Sequence, residues 1–325
     1  MIGQALLLPK NARLTAGVFV CALLLNGCAS LFFPQAASLS DSRPADLPAS
    51  AELKEVPFFP QTEYQCGPAA LATVLVHANV RVTPDELVPQ VYVPARKGSL
   101  QVEMLAAARR HGLISYALAP RFEDVLREIA AGTPVIVLQN LGIWPFDNWH
   151  YAVAVGYDLD SGELFLRSGE NKRQVLPNGV HEFVWKKSDY WAMVAVPPDR
   201  IPATADESRW LASVVALERV GNARAARVAY ATFLKRWPEN INASVGLANT
   251  HHAAGELKEA ETVLRAALVR QPDSVVVLNN LAQTLSDEGK NAEALALVER
   301  AVALGGPFAS AVSETRALIL KRIKP

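Results

Sequence analysis

Apolar residues along this chain follow two rhythms. From about residue 204 onward Ala, Leu and Val recur at helical spacing, with no strand-like run among them. Upstream the apolar residues gather into short runs bounded by turn formers, and Ile114 to Leu118, Val135 to Leu138, Tyr151 to Tyr157, Glu163 to Ser168 and Trp191 to Val196 each predict a strand. Val175 and Phe183 to Trp185 are read into the same antiparallel sheet. Helices are predicted from Cys66, from Pro84 with Thr83 as cap, from Ser99 as cap through Met104 to Arg110 with a stop at Gly112, and over Arg121 to Ala131 with a stop at Gly132. Helices first and sheet later is an α+β order, and an all-α region follows it. Residues 34–52, rich in Ala, Ser, Pro and Asp, predict a flexible tether.

The helical region repeats. Gly221, Gly255 and Gly289 stand 34 residues apart, as do Ala226, Ala260 and Ala294, and as do Pro238 and Pro272; Pro307 arrives one residue late. Glycine in the turn, a small residue at the packing point and proline at the repeat end resemble the tetratricopeptide repeat. Trp210 falls on that motif's aromatic position in the first repeat, with Ser244 and Leu278 in its place in the next two. Phe308 to Ile323 is expected to cap the stack. The implied organisation is a signal over 1–27, a tether over 28–52, an α+β domain over 53–197, and three repeats plus a capping helix over 204–325.

The N-terminus carries Lys10 and Arg13 before an apolar stretch from Ala16 to Leu25, too short to span a bilayer and typical of an export signal. Leu25-Asn26-Gly27-Cys28 resembles the lipobox of bacterial lipoproteins, which implies lipidation at Cys28, and Ser30 favours the outer membrane, facing the periplasm. An ordinary secretory signal with an incidental cysteine is the other reading. Cys21 then leaves with the signal, and Cys66 remains as the free thiol of the mature chain. With 32 acidic and 32 basic side chains the chain has no charge footprint for nucleic acid, and no phosphate-binding glycine loop for ATP occurs. No metal or cofactor motif is present either.

Cys66-Gly67-Pro68 opens a helix, and Pro68 suits the first helical turn. A thiol there feels unpaired N–H groups and the positive end of the helix dipole, so an apparent pKa below the free value of ~8.5 is expected. A buried cysteine acting as a small hydrophobe is the bland alternative. Gln61, five residues earlier, offers an amide to a developing oxyanion. The partner base is sought among six histidines. His251 and His252 lie in the repeats, and His77 lies roughly 16 Å along the same helix. His111 ends a helix, and His181 precedes an expected strand. His150 remains, delivered by the aromatic loop Gly142 to Trp149, unless it is a sheet histidine satisfied by backbone.

Gln61, Cys66-Gly67-Pro68-Ala69-Ala70-Leu71 and, 84 residues after the cysteine, His150-Tyr151-Ala152-Val153-Ala154-Val155-Gly156-Tyr157-Asp158 together resemble the bacteriocin-processing, or double-glycine, cysteine peptidase family. The resemblance spans about residues 53–197 and implies a papain-like fold with Cys66 as nucleophile, His150 as base and Gln61 as oxyanion donor. Two positions depart from the family pattern. Gln61 lies one residue closer to the cysteine than usual, with Gln65 as fallback, and Ser168 stands where the family has an aspartate. If the hairpin pairs about Asp160, His150 faces Glu170 across the strands with Ser168 diagonal, so either could orient the imidazole.

Two functions fit these residues. One is a membrane-tethered cysteine peptidase acting on a peptide or protein, with the repeats recruiting substrate or partner; an acyl transferase using the same thiol chemistry is a weaker variant. The other is a peptidase fold that has lost turnover and serves as a scaffold in an envelope complex. In the repeats, Asn249, His252, Asn279, Asn280 and Gln283 fall on the expected concave face, where amides could bond an extended peptide, unless this face is simply solvated and the array braces the catalytic domain.

Overall fold

The computed structural model describes residues 32–60 and 65–323. Grouped by contact, the chain forms two compact units, one of residues 1–104 with 117–194 and the other of 105–116 with 195–325.

The first unit is built on a sheet in which five strands run in the order β9-β5-β6-β7-β8: β5 (Val135–Asn140), β6 (Trp149–Asp158), β7 (Glu163–Ser168), β8 (Asn171–Pro177) and β9 (Ala192–Val196); strand β4 (Ile114–Ala117) and helix α5 (Phe122–Ala130) precede them in the chain. Neighbours in that order pair antiparallel. β5 is buried along its whole length and β6 from Tyr151 to Tyr157, which is why both read as near-continuous apolar runs. Helix α2 (Cys66–His77) packs on β6 and buries every side chain from Gly67 to Leu75. At roughly 1.5–3 kcal/mol per large apolar side chain, Leu71, Val74 and Leu75 alone fix the helix firmly to the sheet. Helix α3 (Pro84–Val91) begins as expected, Thr83 and Glu86 forming a reciprocal capping box.

Three local expectations are corrected. Residues 34–52 are not a slack tether: Pro34–Asp41 forms helix α1, and Ser50–Glu52 forms β1, which pairs with the far end of β6. Polar contacts far along the chain hold them. The buried Glu182 carboxylate accepts the N–H groups of Gln35 (3.1 Å) and Ala36 (2.7 Å) at the start of α1. Arg43 pairs with Asp160, and Asp46 pairs with Arg127. Leu39 and Leu47 are buried. Second, Phe183 to Trp185 is the end of helix α6 (Asn178–Trp185) rather than a strand, with His181, Glu182 and Trp185 on its buried face. Third, Ser99 does not cap the next helix, α4 (Gln101–Arg110). It lies in β3 (Gly98–Ser99), paired with β2 (Tyr92–Val93), and the backbone N–H groups of Glu103 and Met104 turn instead to the carbonyl of Leu100.

The second unit contains seven helices after residue 204: α7 (Glu207–Arg219), α8 (Ala223–Arg236), α9 (Ile241–Ala253), α10 (Leu257–Arg270), α11 (Val275–Asp287), α12 (Asn291–Leu304) and α13 (Ala309–Ile323). Gly221, Gly255 and Gly289 adopt φ of +87°, +75° and +81°, so the 34-residue glycine period marks a left-handed turn inside each helix pair. Ala226, Ala260 and Ala294 are fully buried, small enough for the helices to approach closely. Segment 105–116 groups here because Tyr116 packs edge-on against Trp210, 5.8 Å between ring centres, and its hydroxyl meets Thr204 and Asp206. Among the described residues, no helix is long and apolar enough to cross a membrane.

Glu182→Ala strands two helix-start N–H groups in a buried setting. It is expected to lower unfolding free energy by ~1–3 kcal/mol and to open residues 34–49 to limited proteolysis, which a denaturation curve and a timed digest will check.

Candidate active site

Cys66 is the first residue of α2 and is half-buried. Its neighbour Gly67 has no room for a side chain: a Cβ there would lie 2.2 Å from Ser99 Oγ. That close approach lets β3 pack against the start of the helix. The packing of α2 on β6 brings the sulfur toward the beginning of that strand, where the backbone N–H of Tyr151, the residue after His150, favours its charged form. Sequence reasoning missed Tyr151, whose contribution is a main-chain donor that no side-chain motif advertises. Its hydroxyl donates to the carbonyl of Ser99 (3.2 Å), tying β6 to β3 beside the thiol.

Burial pushes the Cys66 thiol above its ordinary value, and the N–H groups of Tyr151, Gly67 and Cys66 itself only partly offset this. Burial also lowers the His150 pKa. The expectation of a thiolate preformed by the helix start is therefore corrected: desolvation outweighs the helix-end field, and thiol and imidazole are both neutral near pH 7.

His150 Nε2 lies 2.9 Å from Ser168 Oγ. In the tautomer with Nε2–H donating to that hydroxyl, the lone pair sits on Nδ1. Ser168 is the last residue of β7 and is buried. Glu170 does not face His150 across the strands. β6 and β7 pair from Asp158–Glu163 to Val153–Arg167 and no further, because the chain reverses at Gly169 and Glu170 to pair Ser168 with Asn171 in β8. Glu170 is exposed in that turn.

Gln61 lies outside the described residues, as does Cys28. Gln65 immediately precedes α2, and its carbonyl accepts the N–H of Ala69. The segment leading toward residue 61 is held by Arg167, whose guanidinium donates to the carbonyls of Lys54 and Val56. His181 is no candidate base. It is fully buried, stacked on Trp185, and bonded through Nδ1 to Gln139, and desolvation pulls its pKa down to about 3. No group of three or more potential metal ligands occurs among the described residues.

In the repeats, the five residues expected to line an open face have diverged. Asn249 is exposed. His252 Nε2 and Gln283 Nε2 both meet Asp287 Oδ2, at 2.8 and 2.9 Å, and Arg322 of the capping helix donates to Oδ1 at 2.6 Å. Burial raises the Asp287 pKa, but these bonds win and hold it below the usual range. Asn280 Nδ2 donates to the carbonyl of Val276, one turn back, and Asn279 Oδ1 is buried without a partner. His252 and Gln283 thus brace a carboxylate, and Arg322 supplies a cation that the sequence pattern did not place there.

Residues 53–175 match the Peptidase C39-like family, and residues 211–275 and 275–305 each match tetratricopeptide repeats. No curated protein matches the chain. Among solved structures, a C39-like peptidase from Bacillus anthracis is 17% identical, covers 46% of this chain and 98% of its own, and has a TM-score of 0.39. A double glycine motif protease from an AMS/PCAT transporter, bound to its leader peptide, is 20% identical over 44% of this chain and 91% of its own, with a TM-score of 0.34. The TPR2B domain of yeast Sti1 in complex with an Hsp70 peptide is 16% identical over 36% of this chain and 97% of its own, again with a TM-score of 0.34.

Alkylation of Cys66 by iodoacetamide is expected to be slow at pH 7 and to reach half its limiting rate above pH ~8.5, the reverse of a thiolate activated at rest. A rate already maximal at pH 7 contradicts the buried neutral pair.

Proposed function

Because the chain carries a Peptidase C39-like domain followed by tetratricopeptide repeats, we propose that it is a membrane-tethered cysteine peptidase whose repeats recruit a substrate or partner protein. The observation that supports this reading is the convergence of three elements: Cys66 opens the helix packed on β6 and is influenced by the Tyr151 N–H, His150 is the residue before Tyr151 in that strand, and Ser168 meets the imidazole Nε2. In the proposed cycle the thiol proton passes to His150 Nδ1 as sulfur attacks the scissile carbonyl carbon. The oxyanion is met by main-chain N–H groups at the start of α2 and by Gln61. The C–N bond then breaks as the imidazolium protonates the leaving amine. Water, deprotonated by His150, hydrolyses the thioester. Ser168 positions the imidazole but leaves its transient charge without a carboxylate counterpart. The tether is lipid on Cys28 at the outer membrane.

A second reading, a scaffold without turnover, draws on the same site: His150 has a hydroxyl where a carboxylate would stabilise its cation. An epoxide-type cysteine protease probe separates the two. The peptidase reading expects stoichiometric labelling of Cys66 that falls at least about a hundredfold in His150→Ala, the scale of general-base assistance. A Cys66 that ignores both probe and histidine leaves the scaffold.

Ser168→Ala is expected to reduce kcat about tenfold or more through loss of imidazole orientation, while Glu170→Gln leaves it within about twofold; steady-state kinetics on a cleaved peptide check this. Equal loss in both variants contradicts the positioning role given to Ser168.

A further inference from the structure

Just before His150, residues 141–149 carry five exposed large apolar side chains. Ile143, Trp144 and Phe146 are 83%, 90% and 79% exposed, and Leu141 and Trp149 flank them at 46% and 47%. A cluster of this size marks an interaction site rather than scattered surface apolarity.

The loop is ordered by its own polar groups. Asn140 Oδ1 accepts the N–H groups of Gly142 and Asn148, both at 3.0 Å, and its Nδ2 donates to Asp147 at 2.7 Å. Leu141 N–H donates to the Asn148 carbonyl and Phe146 N–H to the Ile143 carbonyl, both at 2.8 Å. Lys187 Nζ donates to the carbonyls of Asn140 and Gly142. The result is an apolar tip on a base held by polar bonds, a form that seats its rings at the headgroup level while the base stays in water.

The N-terminal segment reaches the same face. Lys187 Nζ also stands 4.8 Å from the centre of the Phe183 ring, and Lys186 Nζ stands 5.4 Å from it. Lys186 donates to the carbonyl of Phe32, the first described residue, which is 54% exposed; Phe33 packs edge-on against Phe183. Cys28 precedes Phe32 by four residues, at most ~14 Å of extended chain. The two lysines therefore link the base of the apolar loop to Phe183 and Phe32. Lys186 and Lys187 suit anionic headgroups; the acidic residues nearest them in the chain are Asp189, which is exposed, and Glu182, which is buried and bonded to the N–H groups of Gln35 and Ala36.

We propose that the Leu141–Trp149 loop, with Phe32 and Phe183, is a bilayer-docking surface that seats the peptidase unit against the membrane. The proposal rests on the lipid tether at Cys28 put forward above. Trp and Phe at the tip occupy the headgroup boundary, where such rings are favoured, and the docking strength follows the apolar area they bury.

The test uses the full chain reconstituted into phosphatidylethanolamine and phosphatidylglycerol vesicles that carry a diazirine phospholipid. Photolysis, digestion and mass spectrometry then locate the adducts. Residues 141–149 are expected to take up at least about ten times more label than Val269, an 81% exposed apolar residue of the second unit that serves as internal control. The I143S/W144S/F146S variant, and W144S alone to a lesser degree, should lose that label while Cys66 still reacts with the epoxide probe. Equal labelling of Val269 overturns the proposal. So does an unlabelled loop on vesicle-bound protein, including the case in which the triple variant only raises KM for a soluble peptide. The mass of the Cys28 peptide reads the tether separately: an unmodified Cys28 with a labelled loop removes the tether and keeps the docking surface, whereas a lipidated Cys28 with a silent loop does the opposite.

Discussion

The burial of helix α2 against β6 is the constraint on which the candidate site depends. Nine consecutive residues after Cys66 are withdrawn from water, so the thiol cannot move without the helix, nor the helix without the sheet. The same packing delivers the Tyr151 N–H to the sulfur and places His150 one residue away. It also explains the resting state: a helix start that exposes N–H groups favours thiolate, but a helix start pressed onto a sheet removes the solvent a thiolate needs. Close positioning and a resting protonated thiol come from one contact.

What was legible in the sequence was what local pattern controls. β5, β6 and β7 follow from short apolar runs, and the repeats follow from glycine, alanine and proline in a 34-residue register. Cys66 at a helix start and His150 at a strand start were likewise readable, because both sit on boundaries that sequence marks. The failures have a common cause. Residues 34–52 look like a linker by composition, yet Glu182, Asp160 and Arg127, each more than eighty residues away, hold them in place. Phe183 to Trp185 is too short an apolar run to reveal its period, and only the buried spacing of His181, Glu182 and Trp185 shows a helix. Glu170 was placed opposite His150 by extending a register past the point where the chain turns. Long-range polar partners and strand ends are not encoded in composition.

The repeats illustrate the same limit on the functional side. Asn249, His252, Asn279, Asn280 and Gln283 share the helix face that the period assigns, but what each side chain does depends on Asp287 and on Arg322 from the capping helix. A carboxylate holding three donors is a brace between α9, α11 and α13. It also makes this face mixed in charge rather than amide-only.

The folding back of residues 34–52 onto the first unit has a mechanical consequence. Had that stretch been slack, nineteen residues of coil would have absorbed movements of about 22–26 Å in root-mean-square span. With the stretch consumed by α1, β1 and their polar ties, that slack is gone, and residues 34–52 move with the sheet on which they pack. A restraint applied at Phe32 is therefore passed directly to the body that holds the Cys66 thiol.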